Sequence, residues 1–327
     1  MADIKKEFGV VGLGKMGGNL AMQALQKRMR VVGYTRSHAS QNLLDAGLVE
    51  IDSPARFKDQ FESPRAVFMY VPAGPIVNSV IDQLASHLED GDIIVDGGNS
   101  YWGDSIRRHN KLRLEKGIHY VDLGTSGGIE GARHGACFMA GGEPEAIARI
   151  EPILNDLSVE GGYVHAGATG AGHFVKLVHN GIEFGMLQAI AEGMALLEHY
   201  HQNRSSIDIA NTLNCWCHGS VIRSWLVELM HKAYSNQGGL ASIPPYVEDT
   251  GEVNWLVNDA LQMEVPTPVI NQSVVQLFTS RDDQQNWARA IAMMRHGFGG
   301  HPYGHSEKIV KERHEGRVGS FLSSENP

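Results

Sequence analysis

Between a short apolar run, Phe8–Gly12, and an amphipathic stretch that ends near Gln26, the chain reads Gly12-Leu13-Gly14-Lys15-Met16-Gly17. No other feature limits the possible folds as much. In a G-x-G-x-x-G element between strand and helix, the first glycine permits a tight turn. The second lets the main chain approach a pyrophosphate, and the third allows helix and sheet to pack closely. The helix N-terminus then offers unpaired N–H groups to the anion. A second apolar run, Arg30–Tyr34, completes a βαβ unit. These residues predict a dinucleotide held at the end of the first strand by Gly12, Leu13, Gly14, Lys15, Met16 and Gly17.

The alternation continues to about residue 170, the pattern of an open parallel sheet covered by helices. Further strands are expected over Ala66–Val71, Ile93–Asp96, His119–Leu123, Cys137–Ala140 and around Gly162–Ala166. Helices are expected over Met16–Gln26, Val77–Leu88, Asp104–Lys116 and from near Pro144. From about 171 the chain reads helical, with apolar-periodic segments at 173–200, 206–217, 220–234, 252–263 and 266–279. Gly238-Gly239 and Ile243-Pro244-Pro245 mark loops. At 327 residues, two domains are expected. They are an α/β Rossmann-type dinucleotide-binding domain over 1–170 and a mainly α-helical domain over 171–327. Residues 303–327 read as a polar tail without chemistry.

Composition removes several classes of function. Lys and Arg number 28 against 37 Asp and Glu, a formal charge of −9, so a fold-wide basic footprint for nucleic acid is not expected. The longest apolar candidate, Ala66–Val77, is interrupted by Pro72 and Pro75 and falls short of the ~18 residues a membrane span needs. Met1–Glu7 has no signal-peptide apolar region. Three cysteines, Cys137, Cys215 and Cys217, leave an odd thiol, which fits a reducing cytoplasm. Cys215-x-Cys217 beside His218 has the wrong spacing for a C-x₂-C site and reads as two core cysteines. No compact His/Cys/carboxylate cluster stands at metal spacing, so no metal is expected.

The end of the second strand bears on the choice of nucleotide. An acidic residue there binds a ribose 2′-hydroxyl, whereas Arg accommodates a 2′-phosphate. The chain reads Tyr34-Thr35-Arg36-Ser37-His38, with no carboxylate until Asp45. Arg36 can meet a phosphate bidentately, with the hydroxyls of Thr35 and Ser37 on either side. NADP is favoured and NAD remains compatible.

The most informative stretch is Gly170-Ala-Gly-His-Phe-Val-Lys176-Leu-Val-His179-Asn180-Gly-Ile-Glu183-Phe184. At about 100° per residue, Lys176, His179, Asn180 and Glu183 share one stripe about 100° wide. Phe174, Val175, Leu177, Val178, Ile182 and Phe184 occupy the other faces, so the helix is expected to be buried. Burying Lys and Glu is costly unless they are paired or neutralised, and i,i+7 lies beyond the usual helical pair. The stripe is therefore expected to face a cleft, where desolvation brings a general base and a general acid toward neutral pH.

This segment resembles the signature of the 6-phosphogluconate dehydrogenases. Gly97-Gly98-Asn99-Ser100 with Arg107-Arg108, and Ser126-Gly127-Gly128-Ile129-Glu130-Gly131-Ala132-Arg133, agree with the same family. The length resembles its short form. The resemblance implies oxidative decarboxylation of 6-phosphogluconate to ribulose 5-phosphate, in the pentose phosphate pathway or gluconate utilisation. It makes Lys176 the base and Glu183 the acid. It gives the sugar acid to Asn99, Ser126, Gly127, Gly128, His179 and Asn180, and adds Val71 and Asn99 to the cofactor set. Its phosphate would be gripped by Arg289, Arg295 and His301. The last two come from the neighbouring subunit in the family, which implies a homodimer or homotetramer with shared sites and a helical domain that also dimerises.

Two positions depart from the family pattern: Phe184 stands where Tyr is common, and Glu252 where Lys is expected. The alternatives are a β-hydroxyacid dehydrogenase of the 3-hydroxyisobutyrate type, which shares the element at Gly167–Asn180, and a non-catalytic NADP-binding protein. Glu183, His179 and the Arg295–His301 segment speak against the first. The intact pair Lys176 and Glu183 speaks against the second.

Overall fold

The computed structural model describes residues 6–315. The order begins β1 (Glu7–Val11), α1 (Lys15–Gln26), β2 (Arg30–Tyr34), a short α2 (Gln41–Asp45) and β3 (Val49–Glu50). After a 3-10 turn at Pro54–Asp59 come β4 (Ala66–Met69), α3 (Pro75–Ala85), β5 (Ile93–Asp96), α4 (Trp102–Lys116) and β6 (His119–Ser126). Next are α5 (Gly128–His134), β7 (Ala136–Gly141), α6 (Pro144–Leu157) and β8 (Ser158–Gly167). The rest is helical: α7 (Ala171–Asn203), α8 (Ile209–Cys217), α9 (Trp225–Gln237), α10 (Glu252–Gln262), α11 (Pro268–Ser280), α12 (Asn286–Gly299) and α13 (Glu307–Glu315).

The strands form one sheet in the order β3-β2-β1-β4-β5-β6-β7-β8. Its central strands are apolar on both faces because helices cover both. Along β4 the period of two is visible in the packing. Ala66 and Phe68 join Phe8, Leu20, Ala24, Ile150 and Leu154 on one side. Val67 and Met69 join Val77, Ile81, Leu84, Ile94 and Leu112 on the other.

The sheet is not wholly parallel. β6 and β7 run antiparallel, with Ser126 opposite Cys137 and Asp122 opposite Gly141. Only the short α5 links them, too little chain for a parallel crossover. β6 also runs on through Ser126, three residues past the expected end.

α7 is the long helix anticipated from periodicity, but it is not buried all round. Its first turns seat against β6, β7 and α10, and further along Met194 packs with Ile209 and Leu213. On its other flank Ile182 is 54% exposed and Leu196 73%. Cys215 is exposed and Cys217 half-buried, so they are not core residues. They lie in the last turn of α8, whose buried face is Ile209 and Leu213. The segment expected from 220 begins as helix at Trp225, after Ser224 accepts the Val227 N–H as N-cap. α12 was not anticipated. α13 falls within the expected polar tail, whose residues 316–327 lie outside the described ones.

The chain divides into two compact units. One holds the chain through Leu240 together with Asp249–Val274, and the other holds Ala241–Glu248 and the chain from Val275 onward. The start of α7 packs on the sheet and belongs to the first unit.

Candidate active site and nucleotide cleft

The three glycines of the first loop meet three different constraints. Gly12 has φ +93, and a Cβ there would run into the Tyr70 carbonyl oxygen. A Cβ at Gly17 would run into the Gly12 carbonyl oxygen, so α1 lies directly on the strand end. A Cβ at Gly14 meets nothing within 4 Å. Gly14 is the N-cap of α1 and makes no side-chain capping bond, so the helix N-terminus faces open space. Space at the second glycine and close packing at the other two suit a pyrophosphate. The residues present therefore fit a dinucleotide.

Gly14, Lys15, Met16, Val71 and Asn99 line a single cleft of about 680 Å³ with Lys176. Gly12, Leu13 and Gly17 form the loop beneath it; Leu13 packs against Gly33 of β2. Gly12 N–H donates to the Tyr34 carbonyl at 2.9 Å, which holds the end of β2 beside the loop. Thr35 is half-buried, and Arg36 and Ser37 are exposed. Sequence spacing missed one carboxylate in this region. Glu50 lies opposite Gly33 across β2 and β3, and its Oε1 accepts the Ala39 N–H at 2.7 Å.

Asn99 is carried by a loop that Asp96 organises from the end of β5. The Asp96 carboxylate, fully buried, accepts from Gly98 N at 3.1 Å, Ser100 Oγ at 2.7 Å and Tyr120 OH at 2.6 Å. Arg108 stands 3.7 Å away as its countercharge. Asp259 of α10 holds the far side of this loop. It accepts from Tyr101 OH at 2.9 Å and Trp102 Nε1 at 2.7 Å.

On α7, Lys176 is 8% exposed. Burial lowers its pKa from the ordinary 10.5, while Glu183, Cys137 and Glu252 pull it partly back. Its Nζ lies 3.5 Å from His179 Nδ1, and His179 Nε2 lies 3.0 Å from Ser126 Oγ. Burial, helped by the Lys176 charge, also lowers the His179 pKa. A neutral His179 can then accept from the lysine on Nδ1 while its Nε2–H donates to Ser126. Glu183 Oε2 is 3.8 Å from the same Nδ1.

The polar stripe serves two cavities. Lys176 opens on the nucleotide cleft. Glu183 and His179, with Ser126 and Gly127, line a second cavity of about 540 Å³ whose other walls include Met139 and Trp225. Gly127 and Gly128 have φ +106 and +59, left-handed backbone that glycine adopts without strain. Asn180 is half-buried on the same helix.

Of the two departing positions, Phe184 packs with Leu177, Leu256 and Val274, whereas Glu252 lines the cleft with Lys176 and takes a hydrogen bond from Thr250 Oγ1 at 2.5 Å. Arg289 and Arg295 lie on α12, and His301 follows it, all in the second unit.

Folding also assembles a grouping that the spacing conceals: donor atoms of His119, Glu143 and Glu145 lie within 4.8 Å of one another. Arg113 is 3.5 Å from Glu143 and 3.2 Å from Glu145, so both carboxylates already have a cation. Among the described residues, no helix is long and apolar enough to cross a membrane.

Residues 7–167 match the NAD binding domain of 6-phosphogluconate dehydrogenase, and residues 172–320 match that enzyme's C-terminal domain. YqeC of Bacillus subtilis (strain 168), provisionally named a 6-phosphogluconate dehydrogenase, is 42% identical over 296 residues, spanning 90% of this chain and 98% of that one. The NAD(+)-dependent, decarboxylating 6-phosphogluconate dehydrogenase of Haloferax volcanii is 37% identical over 298 residues, with 90% and 97% covered. Among solved structures, Plasmodium falciparum 6-phosphogluconate dehydrogenase superposes with a TM-score of 0.77 at 26% identity, over 92% of this chain and 66% of that one.

Proposed function

The chain belongs to the 6-phosphogluconate dehydrogenase family, and from that premise we propose that it oxidises and decarboxylates 6-phosphogluconate to ribulose 5-phosphate and CO₂ while reducing NAD(P). The observation that carries the site assignment is Lys176: a buried amine with a lowered pKa, opening on the cleft that the Gly12–Gly17 loop and Asn99 frame.

Bound nicotinamide supplies the hydride acceptor. Lys176 accepts the proton of the C3 hydroxyl as the C3 hydrogen departs with its electron pair. The product is a β-keto acid, which loses CO₂ once its C3 oxygen can take up charge. The Lys176 ammonium donates to that oxygen, and Glu183 protonates C1 of the resulting enediol. Acid–base steps of this kind are worth ~10²–10⁴ each. Ser126, Gly127, Gly128, Asn99, His179 and Asn180 hold the carboxylate and hydroxyls.

The nucleotide domain is taken as 1–170 and the substrate and dimerisation domain as 171–327, a reading that the matched spans support. A homodimer or homotetramer accounts for the apolar flank of α7 and for α12, which has no buried residue of its own. In that assembly Arg289, Arg295 and His301 bind the substrate phosphate. NADP is the preferred nucleotide, because Arg36 is exposed and Glu50 is occupied by the Ala39 N–H. A cytoplasmic setting suits three free thiols.

Lys176→Ala tests the assignment. Turnover should disappear while NADPH binding, followed by fluorescence, stays near that of the parent; retained turnover removes Lys176 from the mechanism.

A further inference from the structure

Nothing on α7 closes its own first turn. Its N-cap is Gly170, which makes no side-chain bond, yet Gly172 and His173 are buried. Buried N–H groups at a helix start need acceptors; the Ala171 N–H donates to the Ala168 carbonyl at 3.0 Å, and the acceptors for Gly170 and His173 come from β6. The Asp122 carboxylate, 0% exposed, accepts the Gly170 N–H on Oδ1 at 2.6 Å and the His173 N–H on Oδ2 at 2.7 Å. These are the N-cap donor and the donor three residues on, the pair that a capping box satisfies from within one helix. The negative charge also stands at the positive end of the helix dipole.

The same strand face touches α7 twice more. Alternate residues of a strand point the same way, so Asp122, Gly124 and Ser126 form a row. A Cβ at Gly124 would lie 2.5 Å from the Lys176 Cβ. Ser126 Oγ lies 3.0 Å from His179 Nε2. A Cβ at Gly172 would run into the main chain of Asp122, Met139 and Gly141, so the turn is also confined by its close approach to the sheet. One face of β6 thus meets the helix at its first turn, at the lysine and at the histidine. Asp122 is the only one of the three that grips the helix backbone by hydrogen bonds.

We propose that Asp122 is a positioning residue for the oxidation step, its carboxylate fixing α7 along its axis so that Lys176 stands over the nucleotide cleft. The inference rests on Lys176 as the base. Asp122 is fully buried and reaches the reaction only through the helix. A displacement of about 1 Å at a reacting group costs roughly 10²-fold in rate. The groups assigned to hold the sugar acid and nucleotide are mostly on other elements: Asn99 after β5, Gly127 and Gly128 at α5, Gly14 before α1. His179 and Asn180 ride on α7 with Lys176, so loosening its first turn should lower kcat by more than it raises the KM for the sugar acid.

The test compares two variants. Asp122→Asn keeps the side-chain shape but offers one acceptor, and turns donors toward the other N–H. Gly124→Ala presses on the Lys176 Cβ from the same strand with no change of charge. Each should lower kcat by roughly 10- to 100-fold, with KM for nucleotide within about twofold of the parent and KM for 6-phosphogluconate changed by less than kcat. A kcat within twofold of the parent in both variants overturns the proposal. So does a loss carried by KM, or one that follows the melting temperature and is recovered on cooling. Should Asp122→Asn not fold, Gly124→Ala decides alone. Lys176→Ala, assayed alongside, separates the two layers. Surviving turnover there refutes the base itself, whereas an inactive Lys176→Ala beside two full-rate variants refutes only the positioning role.

Discussion

Gly14→Ala should leave the stability of the fold close to the parent's and weaken nucleotide binding. Gly14 has φ −76 and ψ −156, extended backbone that alanine adopts readily, and its Cβ would touch nothing within 4 Å. Restricting the unfolded chain is worth about 0.4–1 kcal/mol, and alanine at an N-cap loses a comparable amount relative to glycine, so Tm should stay close to the parent's. The open volume is the place assigned to the pyrophosphate, so the methyl group becomes an overpacked contact when nucleotide binds. Overpacking costs about 1–3 kcal/mol, which corresponds to roughly 5- to 150-fold in affinity. Thermal melts without nucleotide and fluorescence titration with NADPH read the two effects separately. Gly17→Ala is the control: its Cβ meets the Gly12 carbonyl whether or not nucleotide is present, and it should lower Tm. Unchanged NADPH affinity in Gly14→Ala would refute the placement of the pyrophosphate at this loop.

Three further outcomes follow from the charges around the cleft. Arg36→Ala should raise the NADP KM about tenfold, the loss of one charge-assisted bond, and leave the NAD KM nearly unchanged; an equal rise in both removes the 2′-phosphate argument. The base must be unprotonated, and burial lowers the Lys176 pKa from 10.5, so kcat/KM should climb with pH along a limb centred below that value. Glu252 opposes that lowering, so Glu252→Gln should move the limb to lower pH; a shift to higher pH contradicts the geometry.

Much of this was legible because apolar periodicity and glycine spacing report local structure. The strands Arg30–Tyr34 and Ile93–Asp96 fall at the expected residues, and the helix bearing Lys176 begins two residues before the expected start. Strand direction was not legible. Cys137–Ala140 reads equally well parallel or antiparallel, and only the short α5 connection decides it. No motif marks Asp96 or Asp122, although each is a lone carboxylate in an apolar strand, which is the available signal that a buried partner waits. Glu50 was missed because strand pairing, rather than sequence proximity, brings it beside Ala39. The exposure of Cys215 depends on which flank of α8 receives α7 and α9, and a single amphipathic turn does not tell the two flanks apart.

The most direct measurement is the initial rate of NADP and NAD reduction with 6-phosphogluconate, gluconate and 3-hydroxyisobutyrate, with CO₂ followed in parallel. Reduced nucleotide and CO₂ should appear in equal amounts with 6-phosphogluconate alone, and faster with NADP. Nucleotide reduction without CO₂, or activity confined to an unphosphorylated acid, would contradict the account.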